Sequence, residues 1–266
     1  MQKQFFLKIL LCLCITNLIA SNTFAALHVN IDKSKQQKHL ARKIVLPTDD
    51  KFKLTADYYS GEKTAGGVLL LHDCNATRKA NTKLAILLAK AGLHVFNLDF
   101  RGYGDSKTDR VSQVKIRKSA KNIKAYQNAM TSLTSFWPKD TLLAFQWLRN
   151  KVDRNKQIAI VSYGCSINYA ISVAEKIHVN GLVLVTPVMD YSDKERYKNL
   201  TDIASYFINS AHQLESYKTS MELFEWSGSR NSKMQIFKGD RKGHSLVRSQ
   251  KGLLEDISRW LQYILK

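Results

Sequence analysis

Residues 158–170, IAIVSYGCSINYA, constrain the fold of this 266-residue chain more than any other stretch. Ile158 to Val161 form a short apolar run of the kind found in a strand buried on both faces. Tyr163, Gly164 and Cys165 then make a tight turn, and a helix opens at Ser166 and Ile167 and continues through INYAISVAEKI. A buried strand that passes at once into a helix belongs in a sheet whose faces are covered by helices.

The flanking chain repeats the alternation. KIVLP and FKLTADYYS read as an antiparallel strand pair, with the turn supplied by 61–67, and GGVLLLH is a fully apolar strand that ends at His72. NTKLAILLAKA is helical in pattern and Gly92 stops it. LHVFNLDF is the next buried strand, and strand, helix and strand within roughly thirty residues imply a right-handed crossover between parallel neighbours. Residues 107–137 break the rhythm as an insertion that carries Lys107, Arg110, Lys115, Arg117, Lys118, Lys121 and Lys124 against one acid, Asp109. Placed after a strand's carboxyl end, it is expected as a solvated helical excursion over the mouth of any pocket. Pro138 suits the first turn of a helix with Leu142, Leu143, Phe145, Trp147 and Leu148 on its apolar face. GLVLVTP and KMQIFKG read as strands, ASYFINS as a weaker one, and SYKTSMELFEW as a helix. Leu253, Leu254, Ile257, Trp260, Leu261 and Ile264 recur at helical spacing in a closing amphipathic helix.

The first 25 residues have a basic start, an apolar run too short to span a bilayer, and Thr23-Phe24-Ala25 before the expected cleavage point, the pattern of a secretory signal peptide. The mature chain is therefore expected to be exported, to the periplasm or the medium, with no membrane span once the signal is removed. A loose lead-in at 26–41 and one domain at 42–266 follow. Taking the leader's two lysines from the 41 basic residues leaves 39 against 22 acidic ones, a formal charge of +17. That balance favours anionic partners, an acidic envelope component among them, although no nucleic-acid motif organises it. Lys115, Arg117, Lys118, Lys121 and Lys124 are the candidate polyanion contacts. Cys74 and Cys165 alone remain after processing, which in an oxidising compartment raises one disulfide. His212 and His244 lack a third placed ligand, so neither a metal nor a cofactor is expected.

Four segments in order, HDCNATR at 72–78, LDFRGYGDS at 98–106, the 158–170 turn and GDRKGHS at 239–245, make the chain resemble an α/β-hydrolase over almost all of its mature length. TPVMDYSD at 186–193 is similar to a segment of esterase-like members. The resemblance implies a mostly parallel sheet with helices on both faces, and an ester or acyl ligand. It also implies a serine, an acid and a histidine in that chain order, with two backbone N–H groups to hold an oxyanion.

Carried over residue by residue, the resemblance holds in part. His244 matches the histidine. Ser162 and Ser166 are the small residues that flank the nucleophile, but the nucleophile position itself is Gly164, which has no side chain to attack with. The acid falls on Gln213, which cannot balance an imidazolium, while Glu215 either substitutes for it or serves the dipole of the next helix. Asp73 stands where the family has glycine beside the oxyanion. The two oxyanion N–H groups are implied to be those of Cys74 and Cys165, so the two cysteines are expected to face each other, within reach of a disulfide. Two uses of the old site stay open: a binding or accessory protein without the serine mechanism, and an ester or acyl hydrolase with Cys165 as nucleophile and His244 as base.

Overall fold

The computed structural model describes residues 40–266. The expected leader at 1–25 and nearly all of the lead-in at 26–41 lie outside these residues. Eight strands form one sheet: β1 (Arg42–Pro47), β2 (Lys53–Tyr59), β3 (Gly67–Leu71), β4 (His94–Asp99), β5 (Ile158–Tyr163), β6 (Gly181–Val185), β7 (Ala204–Ser210) and β8 (Lys233–Phe237). Their order across the sheet is β1, β2, β4, β3, β5, β6, β7, β8. β2 is antiparallel to both β1 and β4, and the other neighbours are parallel.

The turn between the paired strands β1 and β2 is made by residues 48–52, where the Phe52 N–H donates to Thr48 Oγ1 at 3.0 Å. The glycine-bearing segment 61–67 was expected to supply that turn. It carries the chain from β2 to β3 instead, past the place that β4 fills. ASYFINS, expected as a weaker strand, is β7 and is buried along its whole length because β6 and β8 flank it.

Alternation along the central strands divides the core. Leu69 and Leu71 of β3, Ile158 and Ile160 of β5, and Leu182 and Leu184 of β6 face one layer. Helices α4 (Trp137–Arg149) and α5 (Ile167–Ala174) pack there through Trp137, Phe145, Leu148, Ile167 and Ile171. Val68 and Leu70, Ala159 and Val161, and Val183 and Val185 face the other layer, covered by α1 (Thr82–Lys90) and α9 (Leu253–Ile264). Each such leucine or isoleucine is almost fully removed from water, worth roughly 1.5 to 3 kcal/mol apiece before conformational entropy is counted. A strand buried on both faces has no polar side to show, which is why the six residues of β5 lack a single charge.

The basic insertion is two helices, α2 (Gln113–Ser119) and α3 (Ile123–Thr134). Each opens on a side-chain cap: Ser112 Oγ accepts from Lys115 N–H, and Asn122 Oδ1 accepts from Ala125 N–H at 2.8 Å. α2 buries no residue and α3 only Leu133, so the pair is the solvated excursion that its composition implies. Completing the chain are α6 (Tyr191–Tyr197), α7 (Leu214–Trp226) and a short α8 (Gly243–Ser249) that begins at the residue before His244. Among the described residues no helix is long and apolar enough to cross a membrane.

Chain direction switches in this sheet between β3 and β5. After β3 the chain adds β4 on one side, and later β5 on the other. In open parallel sheets, the loops that diverge beyond the carboxyl ends of two such strands leave a crevice.

Candidate active site

Three segments meet at that crevice. β5 ends at Tyr163, and Gly164 follows with φ +50°, a left-handed conformation that glycine adopts without penalty. Ser166 fixes the turn: its Oγ accepts from the Tyr163 N–H at 2.9 Å and donates to the Tyr163 carbonyl at 3.0 Å. Ser162 is buried within the strand, its Oγ donating to the Val183 carbonyl at 3.3 Å. Neither hydroxyl is available to attack a substrate.

β3 ends at Leu71 and delivers His72 and Asp73. His72 is wholly buried; its Nε2 accepts from the Phe100 N–H at 3.1 Å and its Nδ1 donates to the Asp73 carbonyl at 2.8 Å. An N–H pointing at Nε2 requires a lone pair there, so His72 is the neutral Nδ1–H tautomer, and burial lowers its pKa accordingly. The Asp73 carbonyl also accepts from Ala76 N–H at 2.9 Å. Backbone on both sides therefore holds Asp73 in place.

Its carboxylate stands where a side chain at position 164 would be. A Cβ built on Gly164 would lie 2.9 Å from Asp73 Oδ1 and 3.1 Å from its Cγ, and one built on Gly243 would lie 2.5 Å from Oδ2. Gly243 has φ +52°, so two left-handed glycines make the space in which this carboxylate sits. Burial raises the Asp73 pKa above the usual 3.8, while the backbone N–H groups of Cys74 and Cys165 and the Lys242 ammonium act in the opposite sense. The two amides expected to hold an oxyanion thus favour the charge of Asp73.

Cys74 and Cys165 are joined in a disulfide with Cα atoms 5.9 Å apart. The bond ties the loop after β3 to the turn after β5, two strands that are neighbours in the sheet. It takes up both sulfurs, so Cys165 has no thiolate to serve as nucleophile in this form.

Following β8, the chain reaches His244 at the start of α8. The Gly243 N–H donates to Thr186 Oγ1 at 2.9 Å. Thr186 itself has φ +50°, a costly conformation for a β-branched residue and a sign that its position is over-determined by the surroundings. His244 Nε2 accepts from the Asp73 N–H at 3.4 Å, and the Tyr163 ring packs against the imidazole with centroids 3.9 Å apart. Burial first, then the charges of His72 and Arg248, lower the His244 pKa to about 3. The ring is neutral at pH 7, and no carboxylate is paired with it among the described residues.

Gln213, at the position expected for the acid, does not reach the imidazole. Its Nε2 donates to the Asp240 carbonyl, stitching the loop after β7 to the loop that carries His244. Glu215 lies exposed in the first turn of α7, where an acid complements the helix dipole, and does not stand in for the missing partner. His212 does not join His244 in a cluster. Among the described residues no group of three or more His, Cys, Asp or Glu is placed to hold a metal ion.

Above Asp73 and His244 opens a cavity of about 820 Å³. Five cationic residues line it: Lys79, Lys107, Arg117, Lys242 and Arg248, with Asp73 as the single acid. Of the five basic residues picked out from the insertion, only Arg117 faces this cavity. Lys115 is paired with Asp109 at 2.9 Å on the surface, and Lys118 on α2, Lys121 between the helices and Lys124 on α3 are exposed. The other four lining cations come from the β3–α1 loop, the β4–α2 loop, the β8–α8 loop and α8. Lys107 opens the basic insertion, but Lys79, Lys242 and Arg248 belong to no such run, and only the strand order brings them to the same cavity.

No family model matches the chain, and no curated protein matches it in sequence. Solved structures do. A dienelactone hydrolase from Anabaena variabilis superposes with a TM-score of 0.62 over 86% of this chain and all of its own, at 14% identity. An esterase from Pyrococcus furiosus gives 0.61 over 87% and 94% at 13% identity, and a monoglyceride lipase from Saccharomyces cerevisiae 0.58 over 84% and 96% at 11% identity. This chain has the α/β-hydrolase fold. In this structure Gly164 lies in the turn between β5 and α5, and His244 lies after β8 at the start of α8.

Proposed function

We propose that this is an exported protein of the α/β-hydrolase fold that has lost the serine mechanism and uses the former substrate cavity to bind a ligand. One observation carries the reading: the Asp73 carboxylate stands in the space above Gly164, against the Cys74 and Cys165 amides. An acyl ester reacts in this fold by attack from that position while its oxygen charges up against those two N–H groups. Here the attacking atom is absent, and the place for a developing negative charge already faces a carboxylate. His244 could still accept a proton, but without a carboxylate partner it cannot be stabilised as imidazolium during the step. The disulfide agrees with an oxidising, exported setting, as does the leader pattern at 1–25.

Turnover of 4-nitrophenyl acetate tests this directly. The expected result is a rate equal to buffer and unchanged by His244→Ala. Multiple turnovers that vanish in His244→Ala would overturn the proposal. A parallel assay in dithiothreitol addresses catalysis by Cys165, since reduction frees the thiol. Turnover there that Cys165→Ala abolishes would replace the binding reading with a thiol hydrolase.

A further inference from the structure

The charge around the cavity identifies the class of ligand. Lys79, Lys107, Arg117, Lys242 and Arg248 line it, and none of them has a salt-bridge partner among the described residues. Most cations of this basic chain lack such a partner, and pairs such as Lys43 with Asp105, Lys194 with Glu222 and Arg196 with Glu175 are the minority, so what sets these five apart is their convergence on one concave surface. Cations left unpaired around a concave surface repel one another, and an anionic ligand relieves that repulsion. Asp73 offsets one of the five, with Lys242 as the cation whose charge reaches it. Five positive charges against one negative leave the cavity at about +4.

That balance discriminates among anions. A phosphate monoester carries about −1.5 to −2 at neutral pH and offers three acceptor oxygens in a tetrahedral spread, whereas a carboxylate carries −1 in one plane. Two phosphate groups therefore match the cavity's charge, and two carboxylates leave half of it unmet. Three lysines act as point charges that can approach phosphate oxygens from any side, and the two arginines add forked donors. The volume of about 820 Å³ has room for an organic body between two such groups. Tyr103 and Val114 supply an aromatic and an apolar surface for that body, and Asn75, Thr77 and Gln113 supply neutral hydrogen-bonding groups. Because Asp73 fills the oxyanion position, phosphate has no place at the floor. Its partners are the cations of the rim.

We infer that the cavity over Asp73 binds a small ligand with two or more phosphate groups, held by Lys79, Lys107, Arg117, Lys242 and Arg248. This rests on the proposed binding role, and the two fail separately: ester turnover overturns that role, while the measurement below bears on the ligand alone.

Isothermal titration of the mature chain at pH 7, in a phosphate-free buffer of low ionic strength, would use fructose 1,6-bisphosphate, tripolyphosphate and succinate. Binding of at least one phosphate probe is expected at a 1:1 ratio, with the dicarboxylate succinate at least about tenfold weaker. Preference for the bisphosphate indicates an organic ligand, and preference for tripolyphosphate an inorganic one. Lys79→Ala and Arg117→Ala should each weaken the preferred probe about tenfold, the loss expected for one charge-assisted contact. Asp73→Asn should tighten it, because a repulsive carboxylate is removed from beneath the site. Affinity should fall steeply with added salt. Both variants lie on exposed side chains, and their melting curves report that the fold is kept. No binding of either phosphate probe overturns the inference, as does succinate binding equal to theirs, or binding that Lys79→Ala and Arg117→Ala leave unchanged.

Discussion

The floor and the rim of the same cavity are built on opposite terms. At the floor, Gly164, Asp73, Cys74, Cys165 and His244 are held by backbone hydrogen bonds, a disulfide and two left-handed glycines. At the rim, the five cations are flexible side chains on separate segments, without salt-bridge partners among the described residues. The floor has a geometry fixed around Asp73 and His244. The rim carries charge with no catalytic geometry. Geometry at the floor is fixed by folding energetics, whereas the exposed charges of the rim contribute little to holding the fold.

Removing the disulfide is the strongest way to break the contrast. Cys74→Ser with Cys165→Ser opens a loop of 91 residues, and the expected loss is roughly 4 to 5 kcal/mol, read as a fall in the calorimetric melting temperature on the order of 10 °C. A change of only a degree or two would mean that the floor is held by packing and hydrogen bonds alone.

Acid is the next largest perturbation. His244 is neutral when folded, with a pKa of about 3 against 6.5 when unfolded, and burial shifts His72 in the same direction. Below pH 6.5 the unfolded chain takes up protons that the folded chain refuses, so stability falls as pH falls through this window. For His244 the deficit at pH 5 is about 2 kcal/mol, visible in urea midpoints measured between pH 7 and 5 and diminished in His244→Gln. Asp73 runs the opposite way. Its raised pKa means that stability is lost as pH climbs from the ordinary carboxylate range of 3.8 through the folded value, so Asp73→Asn should be more stable than the parent at pH 7. A parent more stable than Asp73→Asn at pH 7 would show that the amides outweigh burial.

Gly164→Ser places a hydroxyl in the turn and asks whether the floor can accept it. The new Cβ meets the Asp73 carboxylate at 2.9 Å and a left-handed backbone, so a destabilisation of about 1 to 2 kcal/mol is expected, with no ester turnover. Gly164→Ser combined with Asp73→Gly clears the space and restores a glycine beside the oxyanion. It should still turn over no ester, because His244 has no acid partner. Turnover by the double variant would show Asp73 to be the sole block.

The smallest effects are expected at the rim. Lys79→Ala or Lys107→Ala should shift the melting temperature by no more than about 2 °C, since exposed side chains away from packed features contribute little to stability. A larger drop would mean that the rim is structural and would erase the distinction between the two regions.

Much of this was legible before any coordinates. The strand runs around Leu69, Ile160 and Leu184, the turn at Gly164 and the helix opening at Ile167 follow from periodicity and turn chemistry among residues close in sequence. The glycine in the turn is a fact of residue 164, and the meeting of Cys74 with Cys165 was implied by the family resemblance. The turn assigned to 61–67 went astray because a hairpin and a crossover begin with the same glycines, and only the position of β4 separates them. Nothing in the amino-acid order said that Asp73 would stand above Gly164, that Gln213 would hold the Asp240 backbone instead of His244, or that Lys79 and Arg248 would share a cavity. Local structure depends on neighbours a few residues apart, which the sequence displays. Where side chains from β3, β5 and α8 converge depends on the order of strands in the sheet, and that order is settled by packing the whole core at once.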